Sequence, residues 1–268
     1  MDTKKHYHIL IATSCSNNTC HSQYTLSLAN TIYHFANIKD VNLQVKLFNS
    51  EALLTKSRNI CAAFVLSDTN ITHLLFIDQN LQWEPAHVVR LLQHNKPIVA
   101  ATYAKPKIYW ERFDHDLFRK LNKLSDSTAR QKSLQANLMN FQVKFADYKP
   151  PQQGLMEVVF APVNFMLIQR DVFVKMSNQY PERKIAFDPS SEFKILNDYA
   201  YSLFDTEITD NNYWNSDASF CKRWIHLNEK IYLDLGIHLR YWGQYAFNGN
   251  ILDLAPAKTF MPRDMKNE

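Results

Sequence analysis

Glycine is scarce, with four residues in a chain of 268. Phosphate loops of the dinucleotide-binding and P-loop kinds place glycine where backbone must approach phosphate, and neither G-x-G-x-x-G nor G-x-x-x-x-G-K-[ST] occurs. Both chemistries lose their main support. The four cysteines, Cys15, Cys20, Cys61 and Cys221, lack the paired spacing of a zinc site, and the first two stand too far apart for a C-x-x-C redox pair. Reduced, mostly buried thiols are expected, and with them a cytoplasmic setting. No stretch approaches the roughly 20 apolar residues of a membrane span. The opening MDTKKHYHILIATS has an apolar run of only a strand's length, so neither a signal peptide nor a transmembrane segment is expected. Lys and Arg outnumber Asp and Glu by only 30 to 26 and are spread along the chain, which gives no reason to expect a nucleic-acid partner.

What is present points to a folded globule. Hydrophobic residues at 46% are too many for disorder, and the length suits one large α/β domain spanning 1–268. Apolar runs without alternation, HILIAT (8–13), NLQVKLF (42–48), HLLFID (73–78) and PIVAAT (97–102), predict strands covered on both faces. Between them, residues 22–38, 50–67 and 85–95 read as helices. In the first, Leu26, Ala29, Ile32 and Tyr33 form the apolar face, and Pro85 suits the first turn of the third. Strands alternating with helices in this order predict a doubly wound sheet, mixed but mainly parallel, flanked by helices.

Residues 105–153 break the pattern and read as a helical surface excursion, with RQKSLQANLMNFQ as its helix and YKPPQQ as a loop. LMEVVFAP and NFMLIQR then return the chain to the sheet, DVFVKM makes a short helix, and residues 178–213 read as loops on the substrate side. DASFCKRWIHLN (217–228) predicts a helix, followed by strand KIYLDL and the segment HLRYWGQYAFNGN.

The segment HLLFIDQNLQWEP ends a buried strand on Asp78, with Asn80 two residues on and Trp83 and Pro85 beyond. An aspartate at the carboxyl end of a parallel strand stands where open α/β sheets bind ligands. Five stretches in order, IATSC, SRN (57–59), THLLFIDQNLQWEP, NFMLIQRDVF and SDASFCKRW with the later HLRYWG, resemble GT-A glycosyltransferases. The likeness is to the small viral, phage and bacterial group whose strand end reads FIDAD before W-x-P. It implies a GT-A-like α/β fold, a UDP- or GDP-sugar donor, and a glycan, protein or small-molecule acceptor.

In that family the strand-end D-x-D grips the donor diphosphate through Mn²⁺ or Mg²⁺, for which hard oxygen ligands are suited. Here the triplet is Asp78, Gln79, Asn80, and the position of a late histidine ligand holds Tyr241. Both changes remove donors a cation prefers, so the resemblance implies metal weakly held by Asp78 and Asn80, or dispensable, or an inactive nucleotide-sugar-binding or scaffold relative. Asp217 matches the aspartate of an E-D-x-x-F motif, the general base of inverting members; read locally, it is a favourable charge at a helix start. Arg58 and Asn59 match an R-N pair near the nucleotide, and Thr13, Ser14 and Cys15 end the first strand where the base would lie, although Cys15 equally suits a core. Acceptor-side candidates are Trp83, Lys105, Trp110 and Trp214, with Trp83 also suited to the start of a helix and Trp110 to anchoring the excursion. A phosphatase built on the same strand end needs an acid where Asn80 stands, and an amide cannot serve.

Overall fold

The computed structural model describes residues 6–15, 17–49, 53–146 and 151–243. The first half alternates as the sequence predicts: β1 (Tyr7–Cys15), α1 (Ser22–Phe35), β2 (Val41–Asn49), α2 (Leu54–Ser67), β3 (His73–Ile77), the two-residue β4 (Leu81–Gln82), α3 (Pro85–His94) and β5 (Ile98–Ala100). Then follow α4 (His115–Asn122), α5 (Ser127–Leu138), β6 (Lys144–Phe145), β7 (Leu155–Phe160), β8 (Phe165–Gln169) and α6 (Arg170–Gln179). The hairpin β9 (Glu207–Thr209) and β10 (Asn212–Trp214), helix α7 (Ser216–His226), β11 (Ile231–Asp234) and β12 (Arg240–Tyr241) complete the described chain. Parts of the expected helix at 50–67, of the loop YKPPQQ and of the segment HLRYWGQYAFNGN lie outside the described residues.

Eight strands form one mixed sheet in the order β2-β1-β3-β8-β5-β11-β7-β6, flanked by helices. All run one way except β7 and β8, which run against their neighbours. The sheet is mixed and mainly parallel, as expected; β8 lies antiparallel between β3 and β5, where a simple β-α-β repeat would pair those two strands directly. All five residues of β3 are buried, and β8 is buried except at its last residue. Such unbroken burial requires cover on both faces.

Alternate residues of each strand feed two cores. Leu10, Leu74, Phe76, Met166 and Ile168 pack with α2, α6 and α7 on one face, while Ile9, Ile11, Leu75, Val99 and Leu167 pack with α1 and α3 on the other. Among its described residues the excursion holds two α-helices rather than one and closes a small core of its own from Leu117, Leu121 and Leu138.

Local chemistry sets several ends. Pro85 occupies the first turn of α3, Glu84 and His87 cap it reciprocally, and Asn95 in the left-handed conformation (φ 47°) closes it. Helix α1 turns the opposite face inward from the one its apolar residues predict. Tyr24, Ser27, Thr31 and Phe35 are buried, whereas Leu26 (54% exposed), Ile32 (44%) and Tyr33 (79%) face outward, as does Ala29. The reason is Trp83: its backbone N–H donates to Ser27 Oγ (3.1 Å) and its indole N–H to Thr31 Oγ1 (2.9 Å), so the hydroxyl-bearing face satisfies a buried tryptophan.

The polar stretch 178–213 is more ordered than a run of loops. It contains 3-10 turns and the β9–β10 hairpin, whose Asp210 and Asn211 both take positive φ, as a two-residue turn with matching twist requires. Two buried polar side chains hold it from beneath. Arg223 bonds Glu207 and the carbonyl oxygens of Leu203 and Asp205, and Asn59 accepts from the backbone N–H groups of Leu203 and Phe204 at 2.9 Å each.

Candidate functional site

The carboxyl ends of β1 and β3, the first turns of α2 and α7 and the residues leading into β8 converge on one edge of the sheet. A cavity of about 210 Å³ opens there, lined by Ser14, Leu54, Arg58, Asp78, Gln79 and Asn164 among others. A larger cavity, about 530 Å³, lies between the end of α3 and strands β7 and β11, lined by His94, Lys96 and Tyr232 among others. The smaller one is the candidate site, because it sits at the strand ends where the fold presents backbone and side-chain groups to a ligand.

Asn164 ties the site together. Its Nδ2 donates to Asp78 Oδ2 (3.1 Å) and to the Tyr103 hydroxyl (2.7 Å), and its Oδ1 accepts from Arg58 Nη2 (3.2 Å). Its own carbonyl accepts the backbone N–H of Asp78 (2.9 Å), so the start of β8 and the end of β3 are held in one register. Local sequence does not mark Asn164, which is the first residue of NFMLIQR and stands one position ahead of the strand itself; its partners Arg58, Asp78 and Tyr103 are all distant in the chain.

Asp78 is partly buried, and burial pushes its carboxyl above the ordinary aspartate value. The backbone N–H groups of Asn80 and Gln79 and the Arg58 charge oppose that shift without cancelling it. Arg58 is itself buried. It forms an ion pair with Asp217, donates from Nη1 to Ser216 Oγ (2.7 Å) and from Nη2 to Asn164. Those bonds use three of the five guanidinium donors, leaving two for a ligand.

Asp217 stands in the first turn of α7, whose start is capped by Asn215 Oδ1 accepting from the Ala218 N–H (2.9 Å). Its Oδ1 accepts from Arg58 and from Ser216 Oγ (3.1 Å), and its Oδ2 accepts the backbone N–H of Val163 (3.0 Å). A carboxylate offers about four lone-pair sites, so about one remains, on a side chain 15% exposed. Ser14 meets Ser57 hydroxyl to hydroxyl at 2.7 Å on the cavity wall.

The other expected residues are placed differently. Thr13 is buried and hydrogen-bonded to the Tyr24 hydroxyl (2.6 Å), away from the cavity. Cys15 is buried with its Sγ 3.1 Å from Cys20 Sγ. Asn59 does not line the cavity and is spent on the backbone N–H groups of Leu203 and Phe204 and on the Asp205 side chain. Trp83 is 2% exposed and packs edge-on to Tyr24, which leaves it no face for an acceptor. Trp110 is 59% exposed on the excursion. Lys105 is joined through its backbone N–H to the Asn140 carbonyl (2.8 Å), and Trp214 lies beneath Lys222 at 4.9 Å. None of the three lines the cavity.

Asn80 and Tyr241, the two positions where the resemblance expects a carboxylate and an imidazole, meet. Asn80 Nδ2 donates to the Tyr241 hydroxyl (3.1 Å), the Asn80 carbonyl accepts from Trp242 N–H (2.9 Å), and the Tyr241 ring stacks on Tyr103 at 5.2 Å. Burial pushes the Tyr103 phenol up, so it stays neutral. The donor set around Asp78 is therefore one carboxylate among neutral amides and phenols, a poor match for a hard divalent cation. Among the described residues no group of three or more His, Cys, Asp or Glu side chains is arranged to hold a metal ion. None of the described helices is long and apolar enough to cross a membrane.

No protein-family model matches the chain, and no curated protein matches it. Among solved structures, the crystal structure of A197 from STIV is similar at 12% identity, with a TM-score of 0.44, covering 88% of this chain and 86% of that one.

Proposed function

We propose that the chain binds a nucleoside diphosphate sugar at the carboxyl edge of its sheet and transfers the sugar to an acceptor hydroxyl, as a GT-A-like glycosyltransferase with little or no dependence on metal. The observation that carries this reading is the cavity at the strand ends, which Ser14, Arg58, Asp78 and Asn164, distant from one another in sequence, line together. Its volume is below the roughly 300 Å³ at which pockets for whole small molecules begin, so it takes one end of the donor and leaves the rest along the open edge.

In this reading the two unused Arg58 donors face the diphosphate, supplying positive charge where a cation otherwise would. Asp78, held by Asn164, accepts from a ribose or sugar hydroxyl. Asp217 receives the acceptor proton on its remaining lone pair, a general base whose orientation is set by Arg58, Ser216 and Val163. No step is routed through a metal ion, since the residues present do not suit one.

A second reading has a specific observation in its favour. Arg58 and Asp217 neutralise one another, and Asn80 with Tyr241 forms a neutral pair where a metal site would be, an arrangement suited to binding without turnover. Calorimetric titration against UDP- and GDP-sugars, with Mn²⁺ and with chelator, followed by product analysis, separates the two. Binding with turnover that Asp217→Asn abolishes supports the transferase. Binding without turnover favours the inactive nucleotide-sugar-binding or scaffold reading, and no binding of any sugar nucleotide overturns both.

A further inference from the structure

We propose that Cys15 and Cys20 are a redox-reactive dithiol that closes to an intrachain disulfide across the loop joining β1 to α1. The spacing of four intervening residues resembles no redox motif, and only the fold brings the sulfurs together, at 3.1 Å. A disulfide spans about 2.05 Å, so closure draws the two sulfurs together by about 1 Å, a movement within reach of a short loop.

The surroundings favour this chemistry over the alternatives. Zinc requires further ligands, and no group of three or more His, Cys, Asp or Glu side chains among the described residues is arranged to hold a metal. Cys61 and Cys221 are buried with no sulfur partner among the described residues, so they do not compete for either member of the pair. The two thiols differ in access. Cys15 is 1% exposed at the strand end, and burial, then its contact with Cys20, pushes its thiol up to about 12. Cys20 is partly exposed, one residue before the His21 cap of α1.

That asymmetry orders the reaction with a small-molecule disulfide such as oxidised glutathione. Cys20 loses its proton to solvent and attacks one sulfur of the reagent, breaking its S–S bond and releasing one thiol. Cys15 then gives up its proton and attacks the Cys20 sulfur of the mixed disulfide, forming the Cys15–Cys20 bond and releasing the second thiol. Two protein thiols are oxidised and one disulfide is reduced to two thiols, so electrons and protons balance. The closed loop leads directly into His21, whose backbone N–H is bonded to the Gln79 carbonyl (3.0 Å), so the bond would brace the rim of the strand-end cavity. The dithiol stands independently of the sugar-nucleotide reading.

The test equilibrates the intact protein in glutathione buffers of increasing oxidised fraction, quenches it with N-ethylmaleimide in denaturant, and weighs the tryptic peptide 6–39, which contains both cysteines and no internal Lys or Arg. The expected result is replacement of the doubly labelled peptide by one that carries no label and weighs two hydrogens less than the unlabelled dithiol peptide, while Cys61 and Cys221 keep their labels. In Cys20→Ser the peptide keeps a single label on Cys15 across the same buffers. Accumulation of wild-type peptide carrying glutathione on Cys20 and a label on Cys15, or retention of both labels in the most oxidising buffer, overturns the proposal.

Discussion

Arg58 and Asp217, separated by 159 positions in sequence, form a buried ion pair that joins the second turn of α2 to the first turn of α7 across the edge of the sheet. The pair is enclosed, with side chains 5% and 15% exposed, so breaking one side strands a charge in a poorly solvated place. Arg58→Met is expected to cost about 3 to 5 kcal/mol by urea unfolding at pH 7. Arg58→Met with Asp217→Asn is expected to cost less than the two singles summed, by at least about 1 kcal/mol. Additive losses would show that the two side chains do not communicate.

Asn59 separates a structural role from a ligand role. Its carbonyl oxygen satisfies two buried backbone N–H groups, so Asn59→Ala leaves both unpaired and is expected to destabilise by roughly 2 to 4 kcal/mol. Affinity for a sugar nucleotide, measured well below the melting temperature, is expected to stay within about twofold, a change of under roughly 0.5 kcal/mol. A large drop in affinity at unchanged stability would return Asn59 to the binding site.

The neutral Asn80–Tyr241 contact gives a prediction about metal. Asn80→Asp restores a second carboxylate two residues from Asp78, and with Tyr241→His it adds an imidazole. The double variant is expected to bind Mn²⁺ at least tenfold more tightly than the wild type by calorimetry, about 1.4 kcal/mol. Equal Mn²⁺ affinity in both proteins would mean that these positions do not form a cation site.

Asp234 anchors the far end of α3. Its carboxylate has no exposed surface and bonds Arg90 and His94 (2.5 Å), while the N–H of Gly236 donates to its other oxygen (2.7 Å). Burial opposes its charge, but the Arg90 and His94 bonds outweigh burial and hold it below the ordinary aspartate value. Because the folded value lies below the unfolded one, the stabilisation is complete above the unfolded value, about 3.9, and is lost as pH falls through the folded one. Asp234→Asn is expected to cost about 2 to 3 kcal/mol at neutral pH, moderated by the exposure of Arg90, and to flatten the acid limb of a stability profile.

Gly236 and Gly154 belong to the same arrangement. A Cβ at Gly236 would stand 2.6 Å from an Arg90 guanidinium nitrogen, and one at Gly154 2.8 Å, so both glycines make room for the arginine rather than for phosphate. Glycine's scarcity in the sequence counts against phosphate loops, and these two positions show what two of the four glycines do instead.

The strands and most helices were legible because their signal is local. Unbroken apolar runs mark strands covered on both faces, and Pro85 marks the start of a helix. The strand-end Asp78 was legible for the same reason, since its place follows from the run before it. The antiparallel insertion of β8 was not, because LMEVVFAP and NFMLIQR carry the same kind of pattern whichever neighbours they pair with. Nor was the inward face of α1, which apolar periodicity assigns to Leu26 and Ile32 and which the hydrogen-bonding demand of Trp83 assigns to Ser27 and Thr31.

By itself, then, the amino-acid order determined the elements, their alternation and the carboxylate at the end of β3, all consequences of residues close together in the chain. The tertiary structure decided the partners: Asn164 between Asp78 and Arg58, Asn80 against Tyr241, Cys15 beside Cys20. Apolar periodicity acts over a few residues, whereas hydrogen bonds and ion pairs are selected by geometry among groups that only the assembled sheet brings within 3 Å or so.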